Sequence, residues 1–364
     1  MLSRGIIFTA AAAYLLVLGC VMWTDNSGPA AARRARSGET TTVARGAPLT
    51  GLPYRSVAMQ IQRVDWIEEY KKSMDQIADL GADTVLLVID TRQENGTSSR
   101  IYLDMRMTPT PEQLAALIKH AREKNLRVIL MPIVLLDAPK GNEWRGTLKP
   151  EHWEDWFKSY REMITHFAWI AQGNGADVLV VGSELVSAEG HVDEWTETIK
   201  MVRGIFKGQL TYSSNWDHYK SVQFWDQLDL VGMNSYWKMG KNHDVTVEQI
   251  EEKWQEIQGD LIPFLEKTEK PLLFLEVGWC SLANAAHEPW DYTKTGEAID
   301  LDLQKRLYEA FFKSWYGNPH LGGFSIWEWP PGEGGEDNRG YTPKNKPAEK
   351  VLREWMAKPR WDVK

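Results

Sequence analysis

The sequence has 364 residues, 43% hydrophobic and 25% charged, with a formal net charge of −8. That supplies apolar material for one large core, and the negative balance excludes a long polyanion such as nucleic acid as partner and suits a neutral one. Two cysteines, Cys20 and Cys280, cannot build a disulfide framework, and neither sits in a CxxC or Cys/His cluster of zinc spacing.

In chain order, Arg4 precedes an apolar run from Gly5 to Trp23, the pattern of an export signal. Three forms of it stand open. The segment is cleaved near Ala30 to Ala32, is retained as a membrane anchor, or carries a lipid on Cys20 in the loose lipobox Val17-Leu18-Gly19-Cys20. Each places the protein outside the cytoplasm, in a bacterial periplasm or at the cell surface. Positions 24–50 are small, polar and basic and read as a flexible linker. Positions 51–364 then form one folded domain.

From Arg55 onward short β-branched runs alternate with longer amphipathic stretches. The runs are Ser56–Gln62, Asp83–Asp90, Arg127–Val134, Asp177–Ser183, Leu210–Asn215, Leu228–Tyr236, Leu272–Val277 and Gly323–Trp327. Most are continuously apolar, as parallel strands buried on both faces are. The stretches between them read as helices: Trp66–Leu80 ending at Gly81, a helix capped by Thr110 with Pro111 in its first turn, His152–Gln172, Val192–Phe206, Val245–Thr268, Asp302–Trp315 and Lys346–Met356. The stretch after the fifth run, near Ser221–Gln227, is short. Eight such repeats predict an α/β fold, a (β/α)8 TIM barrel with a single catalytic domain. The rival, a doubly wound sheet, lacks a GxGxxG after its first strand.

In such a barrel the reactive groups lie at the C-terminal ends of the strands. Two of these ends are glutamates in apolar contexts, Glu184 after the fourth run and Glu276 in the seventh. A buried carboxylate is costly unless something uses it, and two of them across one barrel mouth suit glycoside cleavage. Retaining enzymes of this kind hold two carboxyl groups about 5–5.5 Å apart, one as nucleophile and one as acid/base. Eighteen Trp and twelve Tyr add flat faces of the kind that stack on sugar rings, although most are expected in the core. The eight histidines show no HExxH spacing, no GxSxG elbow or Walker loop is present, and neither metal nor cofactor is called for. The acidic stretch Gly332–Asp337 reads as a loop.

On these residues the chain resembles the clan A, or 4/7, glycoside hydrolases, and within them family 113, whose characterised members are β-mannanases. The resemblance covers roughly Tyr54 to Met356. It rests on Gly182-Ser183-Glu184, Asn234-Ser235-Tyr236, Leu275-Glu276-Val277-Gly278-Trp279, Ser325-Ile326-Trp327-Glu328-Trp329 and the closing stretch Tyr341 to Ala348. It implies Glu184 as acid/base, Glu276 as nucleophile, Tyr236 as the residue orienting that nucleophile and Trp327 as the floor under the sugar at the cleavage point. It also implies a retaining hydrolase of β-1,4-mannan or a related β-glycan. Two departures touch the substrate. Ser183 stands where most clan members have Asn, and the third run ends Met131-Pro132-Ile133 without the polar residues expected of a sugar-contacting strand.

Further substrate-binding candidates are Gln60, Asp90 with Arg92, Ser183, Asn215, Trp216, Asn234 and Trp279. The Asp90–Arg92 pair reads either as an ion pair or as holders of sugar hydroxyls, Asn234 as a substrate contact or a turn closer, and Trp279 as a distal subsite or a loop anchor. If the segment is extended, Glu328 is expected to point opposite to its two Trp neighbours. The expected partner is an oligo- or polysaccharide, bound by a monomer tethered, if at all, through its N-terminus. A transglycosylase acting on envelope polysaccharide and a non-catalytic glycan-binding barrel are the alternatives.

Overall fold

A computed structural model describes residues 49–294 and 296–364. The export segment, Cys20 and all but the last two positions of the linker lie outside the described residues. Among the described residues, no helix is long and apolar enough to cross a membrane.

The chain runs β1 (Tyr54–Ile61), α1 (Ile67–Asp79), β2 (Thr84–Gln93), β3 (Ile101–Tyr102), α2 (Pro111–Glu123), β4 (Arg127–Leu136), α3 (Trp153–Asn174) and β5 (Val178–Ser183). It continues through α4 (Val192–Ile205), β6 (Gln209–Ser214), β7 (Val231–Asn234), α5 (Val247–Thr268), β8 (Leu272–Val277), α6 (Leu301–Trp315), β9 (Leu321–Ile326) and α7 (Pro347–Met356). All strands but β3 pair in parallel in the order β1, β2, β4 to β9, and β9 returns to β1, so the sheet closes into an eight-stranded barrel. The two-residue β3 pairs antiparallel with the end of β2. The fold is the expected (β/α)8 barrel. Its one shortened repeat also falls where the sequence places it, since only a 3₁₀ turn, Trp225–Gln227, separates β6 from β7.

Local chemistry sets the ends of these elements. Thr110 and Gln113 exchange side-chain and backbone hydrogen bonds at the start of α2, with Pro111 in the first turn. Along β2, Val85, Leu87 and Ile89 join the layer between barrel and helices, while Leu86 and Val88 fill the barrel interior. Buried on both faces, such strands read as unbroken apolar runs.

The barrel floor is tied by charge. Asp83, just before β2, accepts from Arg127 at 2.5 Å, from the Arg55 guanidinium at 3.1 Å and from the Thr84 hydroxyl at 2.6 Å. Burial alone would raise this carboxyl, but Arg127, Thr84 and Arg55 outweigh that and hold it below the usual aspartate range. Its stabilising contribution is therefore complete at neutral pH and fades as pH falls through that lowered value. Asp83→Ala leaves buried guanidinium groups uncompensated, so thermal or urea unfolding at pH 7 is expected to show a loss of about 3–5 kcal/mol.

Candidate active site

Both glutamates sit where their strands break register. In β5 the pairing with β6 skips between Val180 and Ser183. Val181 and Gly182 consequently both face the helix side: Val181 packs in the outer layer, and a Cβ on Gly182 would lie 2.8 Å from Trp195 and Tyr212. In β8, Leu273 and Leu275 face the interior and Leu272 and Phe274 the helices. Strict alternation would send Glu276 to the helices. An extra residue in β8 relative to both neighbours shifts the register there, Val277 takes the outward place, and Glu276 is turned into the barrel mouth.

Glu184 itself has a φ of +55°, a left-handed conformation that costs a non-glycine residue about 1–3 kcal/mol and persists only where the surroundings enforce it. The enforcing contacts are visible. The Glu184 N–H donates to the Ser213 carbonyl at 2.8 Å. The next N–H, of Leu185, donates to the Tyr212 hydroxyl at 3.0 Å, which in turn donates to Glu189 at 2.9 Å.

The Glu184 carboxyl is held at both oxygens. Asn234 Nδ2 donates to Oε1 and Arg145 Nη2 to Oε2. Asn234 is fixed in turn, since its Oδ1 accepts from the Trp216 N–H at 2.9 Å and its Nδ2 also reaches Asn215 Oδ1 at 3.3 Å. Glu276 is buried and accepts from the Tyr236 hydroxyl at 2.8 Å. Burial first, and then the Glu184 charge, push the Glu276 carboxyl well above the usual range, against the pull of Arg145 and the Tyr236 hydroxyl.

A second pair of carboxyls lies alongside. Asp90 is fully buried, accepts from Gln60 at 2.7 Å and from Arg92 at 3.1 Å, and is pushed up to about 6 by burial. Glu328 is pushed up to about 7 by burial and by Asp90, and its charge is felt at Glu276. The segment is not extended there: the Trp327–Glu328 peptide is cis, and the Trp329 N–H bonds back to Ala58 at 2.8 Å. Trp327 joins the interior cluster with 9% of its surface exposed, whereas Trp329 is core and donates to Gln76 of α1 at 3.0 Å.

The structure thus gathers Glu184, Glu276, Tyr236, Asn234, Asn215, Trp216, Gln60 and Trp327 at one mouth. Contacts decide between several of the expected alternatives. Asp90 and Arg92 form the ion pair, at 3.1 Å, and Asp90 also holds Gln60. Asn234 spends its amide on Glu184, Asn215 and Trp216. Trp279 is fully buried edge-on against Tyr308 and offers no face to a substrate, because the chain after β8 turns it toward α6. Ser183 is buried, and its hydroxyl has no hydrogen-bond partner among the described residues. The polar group missing from the third barrel strand arrives from the loop beyond it, as Arg145. Nothing periodic marks that residue in the sequence.

The profile of Glycoside Hydrolase Family 113 matches residues 56–346. The family 113 β-mannanase from Alicyclobacillus acidocaldarius, solved in complex with ManMIm, is 30% identical over 85% of this chain and 98% of its own, with a TM-score of 0.75. A second family 113 β-1,4-mannanase is 25% identical over 85% of this chain and 100% of its own, with a TM-score of 0.76. A β-glucuronidase from Dictyoglomus thermophilum, 13% identical over 86% of this chain and 52% of its own with a TM-score of 0.60, shares the fold. No curated protein sequence matches the chain.

The raised carboxyl of Glu328 makes a pH prediction. Its neutral form is favoured in the folded state, so the fold loses stability as pH rises from the ordinary glutamate value of 4.5 through about 7. Glu328→Gln is expected to melt close to wild type at pH 4.5 and to be the more stable of the two at pH 8, by on the order of 1 kcal/mol. Thermal melts of both proteins at the two pH values check this.

Proposed function

The chain belongs to glycoside hydrolase family 113, and from that premise we infer that it cleaves β-1,4-linked mannan with retention, Glu276 acting as nucleophile and Glu184 as acid/base. The single observation that carries the reading is the placement of these two carboxyls in one buried field, each with its own polar support. As a glycosidase, the protein needs one carboxyl ionised to attack and one protonated to assist departure.

In the proposed reaction Glu276 attacks the anomeric carbon while Glu184 protonates the departing glycosidic oxygen. The covalent glycosyl intermediate is then opened by a water that Glu184 deprotonates. The Tyr236 hydroxyl, bonded to Glu276 Oε2, fixes the attacking carboxylate and stabilises its charge. Trp327, an aromatic of the barrel-interior cluster at the end of β9, lies under the reacting sugar. Mannan as the substrate draws on the two family 113 relatives, both of them β-mannanases. Export rests on the apolar run at positions 5–23 and belongs to the same proposal.

Purified protein is expected to release oligosaccharides from β-1,4-mannan. Glu184→Ala and Glu276→Ala should each lose about 10²–10⁴-fold or more in kcat/KM on the polymer. Azide should rescue both, giving an α-glycosyl azide with Glu276→Ala and a β-glycosyl azide with Glu184→Ala. Full activity in both variants overturns the mechanism, and exchanged azide products overturn the assignment of roles.

A further inference from the structure

Arg145 is not used by the double displacement as stated, yet its guanidinium sits on the acid/base. It comes from a 3₁₀ turn, Arg145–Thr147, in the loop between β4 and α3, and its side chain is 6% exposed. The turn is built firmly. Thr147 bonds both the N–H and the carbonyl of Trp144 through its hydroxyl, at 3.0 and 3.1 Å. The Trp144 ring lies where a Cβ on Gly146 would stand, 2.3 Å away. Glu143 pins the loop by accepting the Gly96 N–H at 2.9 Å.

The arrangement at Glu184 is that of an acceptor. A guanidinium and a side-chain NH₂ offer protons and no lone pair, and between them they occupy both carboxyl oxygens. A glycosidic oxygen that is to take a proton from Oε2 must approach that oxygen, and there it meets the Arg145 guanidinium. The leaving group and Arg145 therefore compete for one place, Oε2.

We propose that Arg145 is a positioning residue, a clamp that holds Glu184 and yields Oε2 to the glycosidic oxygen of an incoming glycan. This rests on the reading of Glu184 as acid/base. The charge groups around the pair and Arg145 are Asp90 on β2, Glu189 beyond β5, Tyr236 after β7, Tyr292 after β8 and Glu328 after β9. Because Arg145 opposes protonation of Glu276 from where it stands, its removal should move that titration.

The test has two arms, both on the full folded protein. In the first, no substrate is present. Infrared difference spectra follow the carboxylic-acid C=O band of Glu276, assigned by its loss in Glu276→Gln. In Arg145→Ala, or Arg145→Gln if the alanine variant does not fold, the midpoint should rise by about one pH unit or more, and Arg145→Lys should restore it. An unmoved or lowered midpoint overturns the clamp. In the second arm calorimetry measures mannohexaose binding to Glu276→Gln with and without Arg145→Ala. A ligand that must displace Arg145 should bind several-fold more tightly once it is gone. Weaker binding in the double variant overturns displacement. Absence of binding to Glu276→Gln alone counts against mannan as substrate, while the first arm still decides the clamp.

Discussion

Two carboxyl groups placed in one buried field cannot both be charged at low cost. Much of the upper half of this molecule follows from that constraint. Glu276 is buried and pushed toward its neutral form by its surroundings and by Glu184. Tyr236 and Arg145 pull the other way without cancelling that push. A reaction that alternates acid and base roles requires carboxyls whose surroundings differ in this way. A single carboxyl in the same barrel would have no comparable use for a tyrosine on one side and a guanidinium on the other.

The scaffold meets the constraint through irregularity. A regular parallel strand alternates its side chains between helices and barrel interior, and strict alternation would send Glu276 to the helices. The register breaks in β5 and β8 re-aim both glutamates. The left-handed backbone at Glu184 is held by Ser213 and Tyr212. The rigid floor around Asp83 and the core layer between barrel and helices let these local costs persist. The polar groups behind the pair are similarly tied: Asn234 is fixed by Trp216 before it reaches Glu184, and Asp90, which holds Gln60, is itself paired with Arg92.

The barrel was legible in the sequence because strands buried on both faces leave apolar runs, and eight of them recur at the spacing of β/α repeats. Even the shortened repeat before β7 could be read from the lack of a helix-length stretch. The glutamates were legible as strand-end carboxylates in apolar contexts. What they touch was not. Arg145 lies in an irregular loop with no periodic signal, and its role depends on a turn folded over Trp144. Alternation does not carry past the end of β9 to Glu328, because the chain turns back to Ala58 there. Sequence order left Asp90 and Arg92 open between an ion pair and sugar contacts, and Trp279 between a subsite and a loop anchor; the structure shows the ion pair and a fully buried ring. Position along a strand gives the end of the barrel, but depth within it depends on neighbouring side chains that the sequence order does not reveal.

The central claim is that Glu184 and Glu276 act as a retaining pair. Proton NMR of the first product released from a defined mannooligosaccharide, recorded before mutarotation, tests it most directly. A newly formed reducing end in the β configuration is the predicted result, and an α-configured one would contradict the double displacement.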